Sequence, residues 1–154
     1  GIRFGQLYSS TQERASDTLE LVSGRTDYTR LKGIKEWNFG LFEAQPERLQ
    51  PKFRPGATSF EDLFVPYGGE GVDQVGERML VTLTEVMEQA GAEPVLAVSH
   101  GGAMWAFYLK IAAQALDPKV RFGNCAICHY HYEPGHFKLA EVIDPLTGSV
   151  YECE

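Results

Sequence analysis

Pro94-Val95-Leu96-Ala97-Val98-Ser99-His100-Gly101-Gly102 is the stretch on which the fold turns. A continuous apolar run bounded by turn signals has the composition of a strand covered on both faces in a parallel sheet. His100-Gly101-Gly102 then turns the chain. Ala103 to Leu116 reads as a long, mostly apolar helix that stops before Asp117-Pro118. In an open α/β sheet, ligands gather at the carboxyl ends of strands, where the next helix presents free amides and the positive end of its dipole. A histidine between a buried strand and a Gly-Gly pair, which lets a ligand approach the backbone closely, marks His100 as a candidate site residue.

A second junction of this kind lies near the start. Phe4 to Tyr8 reads as a strand, and Ser10-Thr11-Gln12-Glu13 as a Ser-x-x-Glu capping box opening a helix. Ala15, Leu19 and Val22 form that helix's apolar stripe, and Gly24 is its stop. Arg14 falls in the opening turn, where the dipole disfavours a cation. A bound anion would relieve the conflict; a surface pair with Glu13 or Asp17 is the plainer alternative.

Between the two junctions the pattern loosens. Tyr28 to Leu31 reads as a short edge strand and Pro46 to Leu49 as a short helix, while Pro51 to Gly69 is loop and a candidate lid. Val72, Val75, Met79, Leu83, Val86 and Ala90 then follow helical spacing from Gly71, with Gly91 as the stop. After the second junction, Cys125 to Tyr132 and His136 to Val142 form a hairpin about Pro134-Gly135. Such an order predicts an α/β three-layer sandwich in a single domain over residues 1–154, with one mostly parallel sheet flanked by helices.

Composition narrows the function. Twenty-one acidic against fourteen basic residues give a net charge of −7, which argues against nucleic acid or an anionic membrane as partner. A small anionic substrate is still compatible with one local cluster of cations. No apolar stretch approaches the roughly eighteen residues that span a bilayer, and three cysteines suit a reducing, cytoplasmic setting better than a disulfide framework. Cys125-Ala126-Ile127-Cys128-His129 spells the c-type haem pattern, but on a strand residues three apart face opposite ways. Cys125, His129 and His131 would share a face, so a metal site there is weighed below an ordinary strand with polar outward residues. Neither G-x-S-x-G, G-x-G-x-x-G nor a P-loop is present. Glu36, in Lys35-Glu36-Trp37-Asn38-Phe39-Gly40, is either a general acid among aromatic residues or a surface carboxylate paired with Lys35.

Tyr8 to Thr18, Ile34 to Glu43 and Val98 to Gly102, in that order and spacing, resemble the histidine phosphatase superfamily in its phosphoglycerate mutase-like branch. Gly68-Gly69-Glu70, the helix carrying Arg78, and Gly123-Asn124-Cys125 extend the likeness over nearly the whole chain. The resemblance implies that a nucleophilic histidine takes the phosphoryl group and that water or a second substrate discharges it. It makes Arg14 a phosphate clamp, His100 and the Gly101 amide stabilisers of the transferring phosphoryl, and Glu36 the acid and base, with no metal or cofactor. Trp37, Phe42, Phe64, Tyr67, Met104 and Trp105 would line the leaving-group side or simply pack.

Two departures stand out. Ala44 replaces a glycine common in the family, and no Arg-His-Gly, the family's nucleophile motif, occurs in these residues. The expectation is that the chain lies inside a longer protein whose upstream segment supplies the nucleophile, the first strand and the first helix; without it the exposed edge would leave the chain inactive and prone to homo-oligomerise. Only 63 residues separate Glu36 from His100, shorter than in the mutases proper, so hydrolysis of a small phosphorylated metabolite is preferred. An intramolecular phosphotransferase is second. A non-catalytic anion-binding module is the alternative should the protein start at Gly1.

Overall fold

The computed structural model describes residues 1–153. Two three-stranded sheets are present rather than one. In the first, β1 (Gln6–Ser10) lies between β2 (Thr29–Leu31) and β3 (Val95–Val98), all parallel, in the order β2-β1-β3. Helix α1 (Glu13–Ser23) connects β1 to β2, and α2 (Val72–Gln89) precedes β3. The chain thus moves across the sheet first one way and then the other, and right-handed crossovers put the two helices on opposite faces. The second sheet, β4 (Ile127–Glu133), β5 (His136–Asp144) and β6 (Ser149–Glu152), is an antiparallel meander. Helix α3 (Gly101–Ile111) touches α2 on one side and β5 on the other, so it joins the two halves.

The main core lies between α2 and α3, where Val75, Met79, Ala103, Ala106 and Phe107 meet Ile34, Trp37 and Phe64. Trp37 and Phe64 are 1% and 0% exposed, which makes them packing residues rather than pocket lining. Between these helices and Phe53, Phe60 forms edge-to-face pairs with Trp37 and Phe64, and the Trp105 indole N–H donates to the Thr58 carbonyl at 2.7 Å. The expected lid, Pro51 to Gly69, is therefore fastened along residues 58–64 rather than free.

Several boundaries differ from the sequence reading. β1 lies two residues later than Phe4 to Tyr8, because its interior face carries polar residues: Ser9 is fully buried and bonds the Ser16 hydroxyl at 3.1 Å. The capping box does not form. Gln12 is the N-cap of α1, and the Ser10 hydroxyl accepts the Gln12 N–H at 3.1 Å. Gly24 ends α1 in the left-handed region as expected (φ 67°), whereas α2 ends at an extended Ala90, before Gly91. Val22 is exposed, off the buried stripe of Ala15 and Leu19. α3 stops at Ile111, five residues before Leu116. Ala44 adopts φ 58°, a conformation that costs a residue with a Cβ about 1 kcal/mol and costs glycine nothing. β3, read as covered on both faces, is only half-buried, with Ala97 exposed, because it is hydrogen-bonded on one edge alone.

Candidate active site

The carboxyl ends of β1 and β3 bring the two sequence junctions together. His100 follows β3 as the N-cap of α3 and is 8% exposed. Its Nε2 lies 2.8 Å from the Ser10 hydroxyl at the end of β1. Arg14, in the first turn of α1, is exposed and makes no ion pair among the described residues, so the pairing with Glu13 or Asp17 does not occur. Its charge reaches His100. Burial first, and then the charges of Arg14 and Arg78, push the imidazole down to about 4 from its ordinary 6.5. His100 is therefore neutral near pH 7, a donor of one N–H rather than a second cation; a phosphate dianion beside it would act in the opposite direction.

Glu36 is neither paired with Lys35 nor enclosed by aromatic rings alone. Its carboxylate sits on the start of α3, accepting the amides of Ala103 at 2.9 Å and Gly102 at 3.3 Å, together with its neighbour's Trp37 N–H at 2.8 Å. The amide of Met104 goes to the His100 carbonyl. Among the described residues, this leaves the Gly101 amide as the helix-start donor without a partner, available to an anion. The reason for the second glycine follows. A Cβ at position 102 would stand 2.7 Å from Glu36 Oε1, so only glycine admits the carboxylate.

Two functional positions were not evident from the sequence. The Arg78 guanidinium grips both oxygens of Glu70, at 2.8 and 3.0 Å, and donates to the carbonyls of Gly33, Lys35 and Glu36 at 2.8–3.0 Å. It thereby fixes the tract carrying Glu36. Burial raises the Glu70 carboxyl, but the bonds from Arg78 and the Asn38 amide outweigh it and hold that group below the usual carboxylate range. Gln12 accepts the Glu36 amide at 2.8 Å, tying the β1–α1 turn to the same tract. Both links join residues 24 or more apart, and an exposed-looking arginine eight residues beyond a glutamate carries no local signal of either.

Cys125 precedes β4 at φ 63°, off the face of His129 and His131; His129 instead bonds Glu141 at 3.0 Å. Burial, with Cys153 nearby, pushes the Cys128 thiol up to about 12, where it is unreactive. Among the described residues no group of three His, Cys, Asp or Glu could hold a metal ion, and no helix is long and apolar enough to cross a membrane.

The chain is 27% identical over 135 residues to a metal-independent phosphoserine phosphatase of Arabidopsis thaliana, covering 80% of this chain and 55% of that protein. It is 24% identical over 114 residues to phosphoglycerate mutase-like protein 4 of Arabidopsis thaliana, covering 69% and 50%. The chain thus spans about half the length of the curated relatives it matches. In fold it is similar to a mutant phosphoserine phosphatase from Entamoeba histolytica crystallised with phosphoserine, with a TM-score of 0.65, 21% identity, and coverage of 90% of this chain and 73% of that one. Residues 1–145 match the family model of the histidine phosphatase superfamily, branch 1, and the chain belongs to that superfamily.

Proposed function

We propose that these residues form most of the active site of a phosphomonoester hydrolase that works through a phosphohistidine on a small phosphorylated metabolite. The observation that carries this reading is the convergence of Ser10 and His100, 2.8 Å apart, within reach of the charge of Arg14, which has no ion pair among the described residues, with Glu36 held at the same helix start. A phosphoryl group seated there would meet the guanidinium, an imidazole N–H and the Gly101 amide, a set of fixed donors that does the work of a metal. In the first step a histidine nitrogen attacks phosphorus, the ester P–O bond breaks, and Glu36 gives its proton to the leaving oxygen. In the second, Glu36 takes a proton from water, the new P–O bond forms, and the P–N bond breaks to release phosphate.

The attacking histidine belongs, in this reading, to a segment upstream of Gly1. Among the described residues, β3 has no neighbour on the side away from β1. A parallel strand added there would run about 4.8 Å from β3, and its carboxyl end would emerge beside His100, where a nucleophile must stand. Phosphoserine is the first substrate to try, because relatives in both sequence and fold are phosphoserine phosphatases.

Hydrolysis of a chromogenic aryl phosphate by the intact protein, with and without His100→Ala, tests the reading. A fall of about 10²-fold or more is expected from loss of one transition-state donor. Equal rates would remove His100 from the mechanism.

A further inference from the structure

The hydrolase reading uses the closeness of Ser10 to His100 but gives the Ser10 hydroxyl no role of its own. It is fully buried, follows no helix as a cap, and is the single partner of His100 Nε2 among the described residues. A hydroxyl has one proton to give and two lone pairs to accept with. One lone pair is taken by the Gln12 amide at 3.1 Å. Two acceptors compete for the proton, namely His100 Nε2 at 2.8 Å and Gln12 Oε1 at 3.5 Å.

The competition is uneven. The distance to His100 is ordinary for a hydroxyl donor, whereas 3.5 Å lies beyond the usual range. Gln12 Oε1 is identified as the amide oxygen because it already accepts the Glu36 N–H at 2.8 Å, so the longer contact is not a misoriented amide and adds little to an oxygen already paired. The Ser10 proton therefore points at Nε2. A neutral imidazole that accepts at one nitrogen carries its proton on the other.

We infer that Ser10 is a positioning residue which, by donating to Nε2, holds His100 in the Nδ1–H tautomer and turns that N–H toward the anion site. Nδ1 has no partner among the described residues, yet it is not one of the fully buried orphan atoms, so it is open to an incoming group. The consequence for turnover rests on the hydrolase reading; the tautomer does not. With the other tautomer, a bare Nδ1 lone pair would face phosphoryl oxygens and repel them.

Long-range ¹H–¹⁵N correlation spectra of the intact protein near pH 7, with the His100 signals identified by their loss in His100→Asn, read the tautomer directly. The Nδ1–H form is expected in the wild type, the Nε2–H form should become the major one in Ser10→Ala, and Ser10→Thr should restore the first. Phosphomonoester turnover should follow the same order, with kcat lowered on the order of 10- to 100-fold in Ser10→Ala and regained in Ser10→Thr. A wild-type His100 protonated at Nε2, or a Ser10→Ala protein that keeps the Nδ1–H form, would overturn the inference. If Ser10→Ala does not fold, the wild-type spectrum decides alone. An Nδ1–H spectrum in a protein without any phosphatase activity would uphold the inference and reject the hydrolase reading.

Discussion

Arg14→Ala is expected to lower kcat/KM for phosphomonoester hydrolysis by about 10³-fold, the scale set by arginines that neutralise a transferring phosphoryl group. The loss should appear while stability changes by no more than about 0.5 kcal/mol, as for an exposed side chain away from any packed feature, because Arg14 is exposed and has no ion pair among the described residues. That combination is diagnostic. A merely solvated arginine would change neither quantity, and a structural one would change stability first. Steady-state kinetics and urea denaturation on the same preparation separate the three cases, and unchanged kcat/KM would exclude Arg14 from phosphate binding. Arg14→Lys should recover only part of the rate, since an ammonium presents a point charge where the guanidinium offers a planar fork.

Arg78→Ala is the opposite case, with its largest effect on the fold. The side chains of Arg78 and Glu70 are 23% and 22% exposed, and removing the arginine leaves Glu70 without its bidentate partner and three carbonyls without their donor. Breaking a pair of this burial costs about 3 kcal/mol, a large part of a typical domain's 5–15 kcal/mol. Denaturant unfolding should show it as a lower midpoint at unchanged slope. A loss below about 1 kcal/mol would mean that the cluster is no stronger than a surface pair. Activity should fall as well, since the carbonyls of Lys35 and Glu36 are among those that Arg78 holds.

Much of the architecture could be read from periodicity. The apolar run before His100 and the spacing of Val75, Met79 and Val86 give β3 and α2 directly, because a short aliphatic run bounded by turn signals and a buried helical stripe each leave a mark in the residue order. What escaped is non-local. Nothing in Val95 to Val98 says that this strand bonds to β1 alone, and nothing in the Cys125 to Val142 hairpin says that it builds a separate sheet with β6, whose four residues Ser149–Glu152 are too few for a pattern.

At the site, Arg14, Glu36, His100 and Gly101 were legible as residue types at strand-to-helix junctions, with the family resemblance needed for Glu36. Ser10 was misread, since Ser-x-x-Glu is a good capping sequence and only the fold shows the hydroxyl turned to a histidine ninety residues away. Gly102 was read as backbone freedom, but its use is space for the Glu36 carboxylate. The Glu70–Arg78 cluster needed coordinates, because its purpose lies in the carbonyls of residues 33–36.

Rapid-quench trapping of the phosphoenzyme most directly tests the claim that these residues serve a phosphohistidine mechanism. Intact wild-type protein, mixed with phosphoserine labelled on phosphorus and stopped in alkali within the first turnover, should retain label that is stable to base and released by acid. Peptide mapping should place that label on a histidine upstream of Gly1. Label on His100, on an acidic or hydroxyl side chain, or no retained label while phosphoserine is being consumed would contradict the account.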